Sequence, residues 1–478
     1  MHRKIYQVTL SALLSAMTLG FCLSRITAAE AKRPNILFIL ADDLGWPDVS
    51  CNGNPPWQTP NIDQLAREGM RFTSAYAASS VCSPTRASIL TGKYPHRLGM
   101  TGILEMVGKQ YKVPDNAAVL SSATDGTLPV GEVSLASALR EGGYATCMIG
   151  KWHVGGHPKD YGFDAWPMFA RGNGQKRFVD GEFFTDKQAE AAIQWMGEKR
   201  DRPFFLYFAT HAVHNPFAAS QTYIEQNLAR GLPAKGPWNA TYAGFVRHLD
   251  DAVGRLLTAL DARNLAQDTL VIFFSDNGGR GLDISRNDPF RGAKGNLYEG
   301  GIREPLIIRW PGRVKAGTTS DTPVISTDFY PTLLACAGLP LRPAQHRDGI
   351  SFASLFDGTN RLERDTFYWH MPHYSTAAVP SSAIRVGDWK LIKYYSDYRR
   401  EWDDQKQVVT ERHASARVEL YNLHSDPSEE HEMASQQPAI AADLQRRLEE
   451  HLKATGARLP PANPTYDPKK PEKGLFEM

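Results

Sequence analysis

Four oxygen-bearing side chains in this sequence have the chemistry of a binding site for a hard divalent cation. Asp42 and Asp43 stand side by side, and Asp276 is followed directly by Asn277. Carboxylate and amide oxygens are the ligands that Ca²⁺ and Mg²⁺ prefer, and they do not hold zinc selectively. Each pair alone is also an ordinary turn sequence, so the prediction of one site depends on whether the fold brings the two pairs together.

Basic and imidazole side chains form a second set of short polar clusters. Lys151 and His153 lie in the run Gly-Lys-Trp-His, and His211 and His214 lie in the run Thr-His-Ala-Val-His. Ammonium groups can neutralise the oxygens of an anionic ester, and an imidazole with a pKa near neutrality can transfer protons. Together with a cation, these groups favour chemistry on an anionic substrate.

Cys82 is the one cysteine in a polar setting. The residues around it predict a loop that leads into a helix, with Pro84 in the first helical turn and Gly92 at the end. A position just before a helix N-terminus favours a thiolate, so a cysteine nucleophile is the first interpretation. Three further cysteines follow the N-terminal segment at wide spacings without any CxxC pair, which predicts neither a disulfide framework nor a zinc site: Cys51, Cys147 and Cys336.

Four short apolar runs must position these clusters. Each run is rich in β-branched or aromatic residues, and segments of helical period lie between them, which predicts βαβ units and a largely parallel sheet. In such sheets, ligands bind beyond the carboxyl ends of the strands. Each run ends at one of the polar clusters: Asn35 to Ala41, Ala145 to Gly150, Phe204 to Ala209 and Thr269 to Ser275. We therefore expect the clusters to form one site at one edge of the sheet.

The segment Cys82-Ser83-Pro84-Thr85-Arg86 matches the Cys-x-Pro-x-Arg signature of the sulfatase family, and the Ala-Ser-Ile-Leu-Thr-Gly that follows extends the match. Further runs match in the same order over almost the whole mature chain: Ala-Asp-Asp-Leu-Gly at 41–45, Thr-Pro-Asn-Ile-Asp at 59–63, Gly-Lys-Trp-His at 150–153, Ser-Asp-Asn-Gly at 275–278, Lys-Gly at 294–295 and Tyr-Glu-Gly-Gly-Ile-Arg at 298–303. The sequence thus resembles the formylglycine-dependent, arylsulfatase-like sulfatases of the alkaline phosphatase superfamily.

The resemblance implies that a maturation enzyme oxidises Cys82 to formylglycine, whose hydrated aldehyde is the nucleophile. It also implies one divalent cation, with Ca²⁺ favoured over Mg²⁺. The metal ligands carried over from the family are Asp42, Asp43, Cys82 as formylglycine, Asp276 and Asn277. The catalytic residues carried over are Cys82, Arg86, Lys151, His153, His214 and Lys294.

Physical chemistry supports roles for these residues. Lys151 and Lys294 would neutralise sulfate oxygens, and the helix after Cys82 adds its dipole. His214 is assigned as the acid for the leaving group in preference to His211, because His214-Asn215-Pro216 fits the family's His-x-Pro pattern. His153 would help to deprotonate the second hydroxyl of the diol, so that the aldehyde reforms and sulfate leaves. A serine or cysteine has no second hydroxyl and could not complete this step.

The predicted fold class is α/β, with a large mixed, mostly parallel sheet flanked by helices and a smaller C-terminal α+β subdomain that carries an antiparallel sheet. Strand alternation at Ser382 to Lys393 and Val418 to Leu423, and helical period at Ala439 to Leu452, indicate the subdomain. The run Trp369 to Tyr374 fits a substrate pocket and core packing equally well. The predicted division is a signal peptide at 1–31, a catalytic domain at 32–365, the subdomain at 366–460 and an extended tail at 461–478.

The N-terminus predicts export. Arg3 and Lys4 precede an apolar stretch from Val8 to Leu23, and small residues then allow cleavage after Ala29 or Ala31. The stretch is shorter than the ~20 residues of a spanning helix, so no stable membrane span is expected, and the protein should be periplasmic or secreted, or lysosomal or secretory in a eukaryote. The net charge of +2 over 478 residues gives no pull towards nucleic acid.

Two other functions compete with sulfate ester hydrolysis. A phosphate or phosphonate ester hydrolase of the same superfamily would clamp a similar anion, but the single Asp/Asn set differs from a His-rich two-zinc set. A non-catalytic binder of sulfated glycans should have lost ligands that are all present here. The substrate itself, a small molecule or a sulfated oligosaccharide with carbohydrate favoured, would be chosen by three loops: Thr101 to Thr127, Gly155 to Thr185 and Asn215 to Trp238.

Overall fold

Among the described residues the central sheet has seven strands, and four adjacent ones, which include one edge of the sheet, are the apolar runs of the sequence. In the computed structural model these are β1 (Asn35–Ala41), β4 (Ala145–Gly150), β7 (Phe204–Ala209) and β8 (Thr269–Ser275). They lie parallel in the order β8-β1-β7-β4. The structure describes residues 33–53, 55–108, 113–167, 178–179, 182–198, 201–281, 284–358, 361–374, 379–396, 398–403, 408–413 and 418–470, so the predicted signal peptide lies outside the described residues.

Three shorter strands extend the sheet beyond β8. They are β2 (Met70–Phe72), β9 (Leu306–Arg309) and β10 (Thr318–Ser320). Strand β9 is antiparallel to both β8 and β2, whereas β10 is parallel to β2. The sheet is therefore mixed and mostly parallel, as predicted. Two small pairs lie apart from it: β3 (Ala75–Tyr76) with β11 (Val324–Ile325), and β5 (Phe178–Val179) with β6 (Glu182–Phe183).

Helices cover both faces of the central sheet, because its four parallel strands are apolar on both sides. Ile36, Phe38 and Leu40 of β1 face one apolar core, and Leu37 and Ile39 face the other. The first core includes residues of α2 (Cys82–Thr91), α3 (Leu135–Glu141) and α8 (Phe329–Cys336). The second includes residues of α1 (Pro60–Glu68), α4 (Phe184–Gly197) and the 23-residue α6 (Ala240–Ala262), against which α5 (Gln221–Ala229) packs.

The C-terminal part has its own antiparallel sheet, as predicted. Its strands run in the order β12 (Thr366–Met371), β13 (Ser381–Val386), β14 (Trp389–Tyr394) and β17 (Val418–Asn422). Helix α9 (Pro438–Ala454) packs on one face. A separate hairpin pairs β15 (Tyr398–Asp403) with β16 (Val408–His413). The short α7 (Glu299–Ile302) belongs to the catalytic part and contacts this sheet.

The interface between the two parts contains a shared apolar core and also buried charged groups. Tyr76 and Ile302 of the catalytic part share one core with Trp369 and Ile392 of the C-terminal sheet. Residues from Pro34 onward form one compact unit, so the predicted boundary near Asp365 stays a prediction. The run Trp369 to Tyr374, which fitted either a pocket or a core, is buried at each described position.

The first residues of the predicted tail run along the segment 116–120. The carbonyl of Pro461 accepts a hydrogen bond from the backbone of Leu120 at 2.8 Å, and Asn463 donates to the carbonyl of Ala117 at 2.7 Å. The assignment of 461–478 as a separate tail stays a prediction. Among the residues that the structure describes, no helix is long and apolar enough to cross a membrane.

A histidine cluster lies between the two parts of the chain, with His96 and His370 buried and His451 half-buried. His96 and His451 are 3.1 Å apart at their Nε2 atoms, and His370 lies beside His96 with the ring centres 6.0 Å apart. Burial lowers the pKa of His370 to about 4 and that of His451 to about 4. Because the unfolded chain binds protons at these positions near pH 6.5, folding requires neutral imidazoles here.

We expect this cluster to make folding acid-sensitive. A histidine whose pKa is lower in the folded state contributes stability above its unfolded-state pKa. That stability is lost as the pH falls towards the folded-state pKa, so we expect the loss between pH 6.5 and pH 4. His370 alone should lower the free energy of unfolding by about 2 kcal/mol between pH 7 and pH 5. Thermal melting at both pH values should show a smaller loss for His370→Gln than for the unmodified sequence. His424→Gln, at an exposed turn, is the matched control and should change nothing.

Candidate active site

The polar clusters of the sequence meet at the carboxyl ends of the four parallel strands. Asp42 and Asp43 follow β1, Lys151 follows β4, and Asp276 and Asn277 follow β8, all directly. The turn that begins after β7 brings His214 to the same edge, where its Nε2 lies 3.6 Å from Oδ2 of Asp43. The expectation that these segments converge is confirmed.

Helix α2 places Cys82 at this edge. The helix begins at Cys82 itself rather than just after it, and the side chain is buried, with 1% of its surface exposed. The helix ends at Gly92, whose φ of +68° is the left-handed conformation that glycine adopts without strain. Cys82 therefore lies where the unpaired N–H groups of the first helical turn favour an anion.

Arg86, one turn further along α2, lies fully buried beneath the site. Its Nε donates to Oδ2 of Asp276 at 2.8 Å, and its Nη1 donates to the carbonyl of Lys151 at 2.6 Å. The third nitrogen, Nη2, is 2.6 Å from Oδ2 of Asp276 and 3.7 Å from Oδ1 of Asp42. The guanidinium thus fixes both carboxylates and the end of β4.

Two lysines flank the carboxylates. Lys151 Nζ is 2.8 Å from Oδ2 of Asp42, and Lys294 Nζ is 2.6 Å from Oδ1 of Asp43. Burial alone would raise the pKa of both carboxyls, but the ammonium groups outweigh it and hold the pKa of Asp42 well below its usual range and that of Asp43 below it. Both side chains are therefore ionised at neutral pH.

The donor set fits a hard cation. Asp42, Cys82 and Asp276 each offer a ligand atom, and these atoms lie within 4.8 Å of one another. Nδ2 of Asn277 donates a hydrogen bond to Oδ1 of Asp43 at 2.8 Å. This bond fixes the amide group, so that the Oδ1 atom of Asn277 itself points the other way. That Oδ1 is buried and has no hydrogen-bond partner among the described residues. A buried amide oxygen without a donor is costly in water-free surroundings, and a cation would satisfy it.

The thiol of Cys82 lies in a strongly positive environment. Burial acts to raise its pKa, but Lys151, Lys294 and His153 together lower the pKa to about 5. The unmodified side chain is therefore a thiolate at neutral pH. The same positive groups would stabilise any anion held at this position.

His153 has a partner that the sequence did not reveal. Its Nε2 lies 3.0 Å from Glu105, which belongs to a short 3-10 turn, Leu104–Met106. Hydrogen bonding with His153 lowers the pKa of Glu105 to about 2, so the carboxylate is ionised and accepts a hydrogen bond from the Nε2–H group of His153. This pairing leaves Nδ1 as the nitrogen for proton transfer near residue 82. Glu105 falls in the predicted substrate loop 101–127, but no motif indicated its contact.

His214 is held in one tautomer as well. Its Nδ1 is 2.7 Å from the carbonyl of Asn215, which accepts the Nδ1 proton and leaves Nε2 facing Asp43. His211 contacts Gln188 instead, with 3.2 Å between its Nδ1 and the amide nitrogen. The geometry therefore agrees with the choice of His214, rather than His211, for a proton transfer at the site.

Family models match both parts of the chain. A model described as Sulfatase matches residues 34–339, and a model described as N-sulphoglucosamine sulphohydrolase, C-terminal, matches residues 293–457. The two matches overlap on the segment that carries Lys294. Together they extend over both the central sheet and the C-terminal sheet.

Individual proteins match over similar lengths. Arylsulfatase A of Homo sapiens is 32% identical over 457 residues, which covers 85% of this chain and 84% of that protein. N-acetylgalactosamine-6-sulfatase of Canis lupus familiaris is 31% identical over 434 residues, which covers 83% and 77% respectively. The crystal structure of Ps i-CgsB in complex with k-i-k-neocarrahexaose matches with a TM-score of 0.70 and 29% identity over 88% of this chain and 93% of that one.

These matches agree with the α/β architecture and with the Cys-x-Pro-x-Arg segment at the head of α2. The fold is that of the alkaline-phosphatase-like sulfatases, as predicted. The chain belongs to the sulfatase family and is a sulfuric ester hydrolase.

Proposed function

We propose that this protein is an exported sulfatase that hydrolyses sulfate monoesters of a carbohydrate, with formylglycine at position 82 and one divalent cation. The observation that carries the proposal is the buried position of Cys82 at the start of α2, among Lys151, Lys294 and two carboxylates that could bind a metal. A maturation enzyme would oxidise Cys82, and the 1–31 segment would direct export.

We infer that the cation is held by Asp42, Asp43, Asp276, Asn277 and residue 82, with Ca²⁺ favoured over Mg²⁺. All of these donors are hard oxygens once residue 82 is oxidised, and the ligand number suits Ca²⁺. When bound by these residues, the cation would supply Lewis acidity to a hydroxyl on residue 82 and to the sulfuryl oxygens. Formylglycine supplies a geminal diol, whose second hydroxyl permits the expulsion of sulfate.

Charge balance favours an anionic substrate. Asp42, Asp43 and Asp276 face three positive groups, Arg86, Lys151 and Lys294. Burial raises the pKa of Asp276 to about 8, but the guanidinium of Arg86, 2.6 Å from its Oδ2, favours the carboxylate form. A divalent cation would add two positive charges to this nearly neutral set, and a sulfate ester would compensate part of them. Lys151 and Lys294 then bind the oxygens that gain charge in the transition state, where fixed charges act most strongly.

Two histidines move protons in the proposed reaction. His214 as an imidazolium donates from Nε2 to the departing ester oxygen, since its Nδ1 proton is already bound to the carbonyl of Asn215. His153 accepts a proton at Nδ1 from the hydroxyl of residue 82, because Glu105 holds its Nε2 proton. One histidine thus serves ester cleavage and the other serves sulfate release.

Glu105→Gln should slow turnover without weakening substrate binding. A glutamine can occupy the same place, but it cannot stabilise the imidazolium form of His153 by its charge. Because the Glu105 side chain is 64% exposed, solvent screens the effect, and we expect kcat to fall by about 10-fold with KM within twofold. Steady-state kinetics on an aryl sulfate measures both. Glu141→Gln is the control, because Glu141 pairs with Arg342 and has no role in the proposed reaction. It should leave kcat unchanged. A rise in KM alone would show that Glu105 contacts substrate instead.

The carbohydrate proposal draws support from the relatives. N-acetylgalactosamine-6-sulfatase is named for a sulfated sugar, and the Ps i-CgsB structure holds k-i-k-neocarrahexaose. The test compares sulfate release from a panel of sulfated oligosaccharides with that from an aryl sulfate and with phosphate release from an aryl phosphate. One oligosaccharide should exceed the aryl sulfate in kcat/KM by about 10²-fold or more. A better aryl sulfate would overturn the carbohydrate assignment, and a faster phosphate ester would favour the phosphoester hydrolase alternative.

A further inference from the structure

A second ionic cluster lies buried behind the catalytic edge, and the proposed reaction does not use it. Glu299, Lys390 and Glu429, here called the Glu299 cluster, each have 0% of their surface exposed. Lys390 Nζ is 2.9 Å from Oε1 of Glu299 and 2.8 Å from Oε1 of Glu429. Oε2 of Glu429 accepts the backbone N–H of Glu299 at 2.6 Å. The cluster therefore joins α7 to the C-terminal sheet.

Further donors fix the Glu299 carboxylate from other directions. The hydroxyl of Tyr76 donates to its Oε2 at 2.7 Å, and Arg303 lies 3.3 Å from the same oxygen. Arg385 of β13 in turn donates to the Tyr76 hydroxyl at 2.6 Å. Lys390 and the two arginines outweigh burial and lower the pKa of Glu299 to about 2, so its carboxylate is charged. Glu299 is held by residues of three separate parts of the chain.

Helix α7 is tied directly to the catalytic segments. Lys294 lies five residues before Glu299, and its backbone N–H donates to the carbonyl of Gly279 at 3.0 Å. On the other side, the carbonyl of Gly301 accepts from the N–H of Gly278 at 3.2 Å, next to Asn277. Anything that displaces Glu299 must therefore shift the Lys294 segment, the end of β8, or both.

Stability alone gives no reason for this arrangement. A fully buried lysine between two carboxylates loses much hydration, and apolar side chains of similar volume commonly stabilise a fold as well or better. What apolar side chains cannot provide is a directional contact that sets one backbone position. The use of such a cluster is therefore to fix geometry, and the geometry next to it is that of Lys294.

We propose that Lys390 and Glu429 are positioning residues of the active site, which act through Glu299 to set the place of the Lys294 ammonium group opposite Asp43. The C-terminal sheet, which contributes no predicted catalytic residue, would thereby control how the sulfate group is held. This inference rests on the proposed function, because it requires Lys294 to contact the sulfate oxygens.

The test is a double-mutant cycle in the full-length, mature protein. Lys390→Met is measured alone and in the Lys294→Ala background, with kcat, KM and inhibition by inorganic sulfate as readouts. Alone, it should lower kcat by about 10- to 100-fold and weaken sulfate inhibition by about 10-fold. In the Lys294→Ala background, Lys390→Met should lower kcat by less than about threefold further, because the ammonium group that Lys390 positions is absent. Lys393→Met is the matched control, since Lys393 lies on the same strand and pairs with Glu449 at the surface.

Glu429→Gln covers the case in which Lys390→Met does not fold. It keeps the shape of the side chain and the Lys390–Glu299 pair, and it should lower kcat by about 3- to 10-fold, again only when Lys294 is present. Equal losses in both backgrounds, or no loss in either, would overturn the positioning role and leave the sulfatase mechanism intact. Full activity of Lys294→Ala would overturn the mechanism's use of Lys294 and this inference together.

Discussion

Cys82→Ser is expected to lower steady-state sulfate release by about 10⁴-fold or more, although the substitution exchanges only sulfur for oxygen. A serine hydroxyl at the start of α2 would still lie beside Lys151 and Lys294, so attack on the ester remains possible. What it lacks is a second hydroxyl on the same carbon. Sulfate would therefore stay on the serine, and turnover would stop after a single cycle.

The measurement is rapid-mixing kinetics on an aryl sulfate, with the phenol and the sulfate followed separately. Cys82→Ser should release at most one phenol per enzyme molecule and almost no sulfate. Cys336→Ser, at the end of α8, is the matched control and should retain normal turnover. Continuous turnover by Cys82→Ser above about one per cent of the normal rate would contradict the diol mechanism.

Asp42→Asn should have the second largest effect, because it removes one proposed cation ligand and the counterion of Lys151. The Asp42 carboxyl is fully buried and its pKa lies well below the ordinary value, so it is an anion throughout the working pH range. Lower ligand charge weakens the binding of a hard cation. We expect activity to fall by about 10³-fold at micromolar cation and to recover in part at millimolar cation.

A chelator followed by graded Ca²⁺ or Mg²⁺ measures this directly. The unmodified sequence should lose activity on chelation and regain it at a lower concentration of Ca²⁺ than of Mg²⁺, whereas Asp42→Asn should need much more of either. Asp160→Asn, an exposed aspartate, controls for a general charge effect and should behave normally. If activity survives complete chelation, the proposed cation site is wrong.

Much of the site could be predicted from the sequence, because Asp42, Lys151 and Asp276 each follow a strand directly. The apolar run from Asn35 to Ala41 forms β1 with those bounds, and Asp42 is the next residue. Once the strands are known to be parallel, their carboxyl ends share one edge, and side chains more than 200 residues apart must meet, as Asp43 and Asp276 do. Pro84 and Gly92 marked helix α2 for equally local reasons.

Contacts made by residues outside such patterns could not be predicted. Glu105 lies on a 3-10 turn in a loop without hydrophobic period, and only the path of that loop brings it to His153. Lys390 is a charged residue between Trp389 and Leu391 on β14, and nothing in that pattern indicates that its side chain is fully buried. Its partners Glu299 and Glu429 come from distant segments, so only the packing of two sheets reveals the cluster.

The most direct test of the proposed formylglycine is the mass of the tryptic peptide 72–86, because this peptide contains position 82. The protein should be purified from its native host. The same preparation must be assayed for sulfate release, so that modification and activity are compared in one sample. We expect the mass of an aldehyde in place of the thiol at position 82, with the modified fraction in proportion to the activity. A fully active preparation in which Cys82 carries an unmodified thiol would contradict it.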